Sequence, residues 1–168
     1  VNLFAAQFRA GDLTAIVSQT LRDFDLPPEA LELEVTENII LSNAQSIVAQ
    51  LNELQGMGVG IAFDDFGTGY ASLTMLKDYP VTRLKIDRSF VSNIAQNRKD
   101  QAIVGAITKL AADLELDVIA EGIETSEQAK CMLGKACAQG QGYLFGRPMT
   151  AGAFERLFFA DAVRRSVA

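Results

Sequence analysis

Short apolar runs alternating with helix-period segments limit this chain to folds built on a parallel sheet. The runs lie at residues 1–4, 31–35, 59–63, 83–86 and 117–120, with a weaker one at 143–145. Between the second and third, Ile47, Val48, Leu51 and Leu54 form a helical stripe, with Ser42 or Asn43 placed to cap its start and Gly56 its end. A second stripe runs through Ile103, Val104, Ile107, Leu110, Ala111 and Leu114. Thr125 and Gln128 have the spacing of a capping box that opens a helix reaching Leu133. Residues 151–159 are also helical in pattern. Pro27, Pro28 and Pro80 stand just before apolar runs, where they stop the preceding element.

The strand ends decide between sheet types. Nearly every run finishes on polar residues: Glu34, Thr36 and Glu37; Asp64 and Asp65; Lys85 and Asp87; Glu121 and Glu124. Gln141 precedes the weak run. An open doubly wound sheet gathers its site at one crevice, whereas a (β/α)8 barrel builds it from several strand ends at one face. The predicted fold is therefore α/β, a modified (β/α)8 TIM-type barrel. A full barrel takes about 250 residues. With 168 residues, the chain is expected to be one domain, the C-terminal two-thirds of a barrel, with the first one or two βα units outside it.

Composition narrows the chemistry. Fifteen Lys and Arg against 21 Asp and Glu give a net charge of −6, the wrong sign for a general DNA binder. The absence of histidine excludes Ser-His-Asp and Cys-His nucleophile systems and His-ligated zinc. Cys131 and Cys137 match no metal or redox spacing, and the N-terminus reads as no signal peptide, so a reducing, cytoplasmic setting is expected. No run approaches the roughly 20 apolar residues of a membrane span; a membrane tether would belong to another part of the parent chain. Any anionic substrate must then be held by metal ions or by a few placed cations.

Alternation along a strand puts Glu32, Glu34 and Thr36 on one face and Leu33 and Val35 on the other. By the same rule the consecutive Asp64 and Asp65 diverge, Asp64 pointing inward and Asp65 reaching from the rim. Any one of these acids is equally well a solvated loop charge or a helix N-cap. The set Glu34, Asp64, Asp65 and Glu121 at matching strand ends is harder to dismiss, because such carboxylates repel unless cations neutralise them. Hard oxygen donors without His or thiolate suit Mg²⁺ or Mn²⁺. Two such ions about 3.5–4 Å apart serve in-line hydrolysis of a phosphodiester. Lys85 is either a surface lysine or a fixed cation that orients water or balances phosphate charge. In the loop at 65–70, Gly67 and Gly69 permit unusual backbone angles; the full Walker and dinucleotide patterns are absent.

Five linked motifs carry a resemblance over most of the chain: Glu34-Val-Thr-Glu37, Asp64-Asp-Phe-Gly-Thr-Gly-Tyr70, Leu84-Lys-Ile-Asp87, Ala120-Glu-Gly-Ile-Glu124 and Gln141-Gly-Tyr-Leu-Phe-Gly-Arg-Pro148. Their order and spacing resemble the EAL-domain cyclic di-GMP phosphodiesterases. The resemblance implies a modified (β/α)8 barrel that opens cyclic di-GMP to linear pGpG with two Mg²⁺ or Mn²⁺ ions. It implies Asn2 and Glu34 as ligands of the first metal, Asp64 as the bridge, and Asp65 on the second. Lys85 would contact the catalytic water, and Glu121 would be general base or second-metal ligand. Gln141 and Asp87 would line the substrate and the metal waters. Glu37 would brace the loop after Asp65, in which Gly67 and Thr68 lie, and Glu124 would support the site from behind.

Glu29-Ala30-Leu31 imitates the family signature without filling its role. Glu29 precedes Glu34 by five residues, roughly 16 Å at about 3.3 Å per residue, and lies toward the other end of the barrel. The true signature is expected upstream of Val1. Phe4, Glu115 and Ala138 replace a serine, a glycine and an aspartate usual in the family. The implied partners are cyclic di-GMP, regulatory or sensor domains of the parent, and a second copy in a homodimer. A degenerate domain that binds cyclic di-GMP without cleaving it is the competing reading, and the 168-residue piece alone is expected to be weakly active or inactive.

Overall fold

Leu33 and Val35 alternate with Glu32, Glu34 and Thr36, and this alternation organises the whole sheet. In a computed structural model describing residues 1–9, 12–36, 39, 44–68 and 73–159, the five strands are β1 (Glu32–Thr36), β2 (Gly60–Phe66), β3 (Arg83–Ile86), β4 (Asp117–Ala120) and β5 (Gln139–Gly140). All pair in parallel, in the order β1-β2-β3-β4-β5. Sequential parallel order with helices between the strands is that of a TIM-type barrel wall.

One face of the wall is apolar and packs on helices. Leu33, Val35, Ile61, Phe63, Leu84 and Ile86 are each at most 2% exposed. Against them lie α3 (Ala44–Gly56), through Ile47, Leu51 and Leu54, and α6 (Arg98–Asp113), through Val104, Ile107 and Ala111. The stripe in α6 is narrower than its sequence suggests: Ile103 and Leu114 face solvent. The capping box of α7 (Ser126–Leu133) forms as predicted, with the Thr125 hydroxyl accepting from Gln128 N. The other face carries the charged residues, Glu32 and Glu34, Arg83 and Lys85.

Several expectations shift. Residues 1–4 make a single bridge, Asn2 to Glu34, flanked by Leu3 N donating to Glu34 O and Glu34 N to Val1 O. Then α1 (Ala5–Arg9) begins. The expected weak strand at 143–145 is a turn, and the fifth strand is Gln139–Gly140. The cause is Gly142 at φ +153°, where a Cβ would sit 2.2 Å from Ile123 O. With no Cβ there, the chain passes close to Ile123 and turns, Leu144 N donating to Ile123 O and Phe145 N to Gly142 O. A helix that the apolar runs do not announce, α2 (Leu13–Asp23), buries Leu13, Val17 and Leu21 behind an Asp12 cap. The expected caps Ser42 and Asn43 lie outside the described residues, as do Gly69 and Tyr70 of the glycine loop. Short helices α4 (Leu73–Asp78) and α5 (Arg88–Val91) follow β2 and β3. The last, α8 (Ala151–Phe158), buries none of its residues.

Candidate metal centre

Two consecutive aspartates would point to opposite faces of a regular strand. Here a bulge redirects them. Phe63 pairs with Leu84 and Phe66 with Ile86, so Asp64 and Asp65 together oppose Lys85 alone. Asp65 takes up the extra residue at φ +54°, a left-handed conformation that costs an L-residue about 1–2 kcal/mol. The Thr68 hydroxyl donates to Asp65 O at 2.9 Å. Gly67, at φ +97°, lets the chain pass over Phe90, whose ring a Cβ would approach to 3.0 Å. Gly67 and Thr68 therefore shape the bulge.

Lys85 is 4% exposed and stands among carboxylates from three strand ends. Its Nζ lies 2.8 Å from Glu34 Oε2, 2.8 Å from Asp64 Oδ1 and 2.7 Å from Glu121 Oε1. The surface-lysine reading is thereby removed. Burial works against the ammonium charge, yet the three carboxylates outweigh burial and hold it well above its ordinary value. Glu121 follows β4, where its N–H donates to Ile86 O. Gln141 follows β5 and donates from Nε2 to Glu121 Oε1 at 2.6 Å. Asn2, bridged to Glu34, occupies the adjacent edge position.

The cluster carries more negative charge than Lys85 can balance. Burial raises the Glu121 carboxyl; Lys85 pulls it down, while Asp64 and Asp65 add to the rise. Burial, followed by the charges of Asp64 and Asp87, raises Asp65. Asp87 goes the other way. Burial opposes its ionisation, but hydrogen bonds from Ser89 and from the Arg88 backbone hold it below the ordinary carboxylate range. Asp87 thus caps α5 while its charge adds to the rise of Asp65, serving as both helix cap and neighbour of the site.

The donor set fits a hard divalent cation. Asp64, Asp65 and Glu121 each offer an oxygen within 4.8 Å of the others. Asp64 Oδ1 is buried, and its close contact among the described residues is the ion pair with Lys85 at 2.8 Å. One ammonium shared by three carboxylates leaves negative charge that a divalent cation would neutralise.

Other predicted residues stand further off. Glu124 pairs with Arg88 at 2.7 Å, and among the described residues no ion pair joins its side chain to the Lys85 cluster. Glu37 lies outside the described residues. Glu29 sits in a 3₁₀ turn before β1, beside Gly58, which precedes β2; it is at the opposite end from the cluster, as its spacing predicts. Nothing in the residue pattern marks Arg83, which binds Glu32 at 2.7 Å and Asp117 at 3.2 Å one layer below Lys85. Two-residue spacing from Lys85 was the available signal. Beside Glu121 and Gln141 opens a cavity of about 1080 Å³, lined also by Arg88, Arg147, Tyr143 and Phe145.

A parallel wall in TIM-barrel order, with carboxylates clustered at its strand ends, defines an α/β barrel domain whose acidic cluster could hold a metal ion. Residues 1–148 match the EAL domain family, and the chain belongs to that family. It is 45% identical over 151 residues to the bifunctional diguanylate cyclase/cyclic di-GMP phosphodiesterase MucR of Pseudomonas aeruginosa, covering 90% of this chain and 22% of MucR. The chain spans about a fifth of the length of the curated relatives it matches. It superposes on the PaMucR phosphodiesterase in its c-di-GMP complex with a TM-score of 0.84 and 44% identity, covering 92% of this chain and 62% of that one. Klebsiella pneumoniae BlrP1, in a manganese/cy-diGMP complex, gives a TM-score of 0.80 at 31% identity, covering 88% and 38%. Among the described residues no helix is long and apolar enough to cross a membrane.

Proposed function

We propose that this chain supplies the metal-binding and catalytic residues of a cyclic di-GMP phosphodiesterase that hydrolyses its substrate to linear pGpG. The observation that carries the reading is the convergence of Glu34, Asp64 and Glu121 on Lys85, with Asp65 brought alongside by the bulge. Glu34 and Asn2 would hold a first Mg²⁺ or Mn²⁺, Asp65 a second, and Asp64 would lie between. When bound, such a pair lowers the pKa of water and neutralises the phosphate.

The chain's own groups do the rest. Glu121 has both of its close contacts, Lys85 and Gln141, on Oε1. Its carboxyl, held above the ordinary carboxylate value by burial, is suited to take a proton from the attacking water. Lys85 faces the negative charge that builds on the phosphate. The water oxygen bonds phosphorus, the P–O3′ bond breaks, and the leaving oxygen takes up a proton, so one water is consumed per linear product. Arg88, Tyr143 and Arg147 in the adjoining cavity offer charge and a ring face to a nucleotide. The parent chain would add regulatory or sensor domains, work in the cytoplasm, and could pair as a homodimer.

Incubation of the full-length parent with cyclic di-GMP and Mg²⁺ tests this. The expected product is pGpG, and Asp64→Asn should lower turnover at least about a hundredfold. Tight binding with no turnover in the unaltered parent would instead identify a receptor.

A further inference from the structure

We propose that Gln128 is a positioning residue of the candidate site: by tying the loop after β4 to α5, it fixes Glu121 relative to Asp65. The inference rests on the functional reading above and extends it to a residue 7 positions beyond Glu121 in the chain.

The loop at 121–125 is held on its β5 side by backbone bonds and by the Gln141 side chain on Glu121. Gln141 N donates to Ala120 O, Ile123 N to Gln141 O, and Leu144 N to Ile123 O. On its other side, toward α5, side chains make the connection. Gln128 is 8% exposed. Its Oε1 accepts from Glu124 N at 2.7 Å and Thr125 N at 2.9 Å, and its Nε2 donates to Ser92 O at 3.0 Å. Ser92 is the residue that ends α5. At the start of α5, the Arg88 stem packs over Gly122, where a Cβ would lie 2.4 Å from Arg88 Cγ, and the guanidinium pairs with Glu124. Just before Arg88, Asp87 caps the same helix, and the ring of Phe90 in that helix lies against Gly67, two residues beyond Asp65. One short helix therefore spans from Asp65 to the loop that begins with Glu121, two of the three acids whose oxygens cluster.

A helix cap needs only the accepting oxygen of Gln128. Setting the distance between two ligand-bearing loops also needs the bond to Ser92 O. Gln128→Glu separates the two roles. It keeps the acceptor for Glu124 N and Thr125 N, and it removes the donor to Ser92. Gln128→Met removes both.

The experiment uses the full-length parent and measures melting temperature, Mn²⁺ affinity by titration calorimetry, and amide exchange of residues 121–125. Gln128→Glu should melt within about 2 °C of the parent, bind Mn²⁺ roughly three- to tenfold more weakly, and exchange faster in the loop. Gln128→Met should show the same losses and a lower melting temperature. If Gln128→Glu matches the parent in Mn²⁺ affinity and exchange while Gln128→Met loses stability, Gln128 is a cap only and the proposal is wrong. If the unaltered parent neither binds Mn²⁺ nor cleaves cyclic di-GMP, the functional reading falls; loop exchange in Gln128→Glu, unchanged or faster, then decides the tie to α5.

Discussion

Two cation-centred clusters occupy the same strands two residues apart, and they differ in every respect that bears on chemistry. At the C-terminal ends, the Lys85 side chain is 5% exposed and has three carboxylates within 2.8 Å, each with less than 20% of its side chain exposed. One layer below, the Arg83 side chain is 24% exposed and has two partners, Glu32 at 32% and Asp117 at 62%. The lower cluster is a partly exposed network of one cation and two carboxylates, where water screens the excess charge. The upper cluster sets three carboxylates around one ammonium in a drier place. Excess charge and burial together distinguish it from the lower one.

The widest separation between the clusters should come from deleting their cations. Lys85→Met leaves buried carboxylates facing one another. Unfolding by urea without divalent cation should show a loss of about 3–5 kcal/mol, and turnover of cyclic di-GMP by the parent should fall about 10²–10³-fold. A variant as stable as the parent would make the upper cluster no different from the lower.

Asp65→Asn sharpens the contrast from the other direction. Asparagine tolerates the left-handed conformation and removes one charge from a crowded group. The metal-free melting temperature should rise by about 2–4 °C, while turnover falls. A fall in both would mean that Asp65 supports the fold rather than the chemistry.

The barrel wall was legible because it rests on period-two alternation and on where polar residues end each apolar run. Glu34, Asp64, Lys85 and Glu121 all emerge from those strand ends, and Glu29 is set aside by spacing alone. What the pattern hides is non-periodic. Alternation sends Asp64 and Asp65 apart, and only the unequal pairing against Lys85 brings them back together. The apolar residues 143–145 read as strand because apolar content signals burial, but a turn that only glycine at 142 permits leaves them exposed. Asp87 and Gln128 act through caps and long-range bonds, which depend on what the fold places opposite them. Arg83 is marked only by its two-residue spacing from Lys85, because its partners sit 51 residues before and 34 after it.

Protonation offers a gentler test. Asp65 and Glu121 are raised in the folded protein, so between the ordinary and the raised values the metal-free fold binds protons that the unfolded chain has lost. Its stability therefore falls as pH climbs through that window, opposite in sign to the contribution of Asp87, which is lost as pH falls through its lowered value. Ligation requires the ionised form. Calorimetry of Mn²⁺ binding in buffers of different ionisation enthalpy should show proton release within the window, fading above it. No release at any pH would separate these acids from the metal.

The smallest effect belongs to the lower cluster. Arg83→Met gives up one pair at 2.7 Å and one at 3.2 Å, both partly in water. It also discards a buried Nε that has no partner among the described residues. An unpartnered donor offsets part of what the ion pairs contribute, and the methionine retains the apolar stem. Urea unfolding should register a change of no more than about 1 kcal/mol, and cyclic di-GMP turnover by the parent should stay within about twofold. A loss approaching that of Lys85→Met would show that the two layers act together, and that charge on this face of the wall cannot be divided into a structural base and a reactive rim.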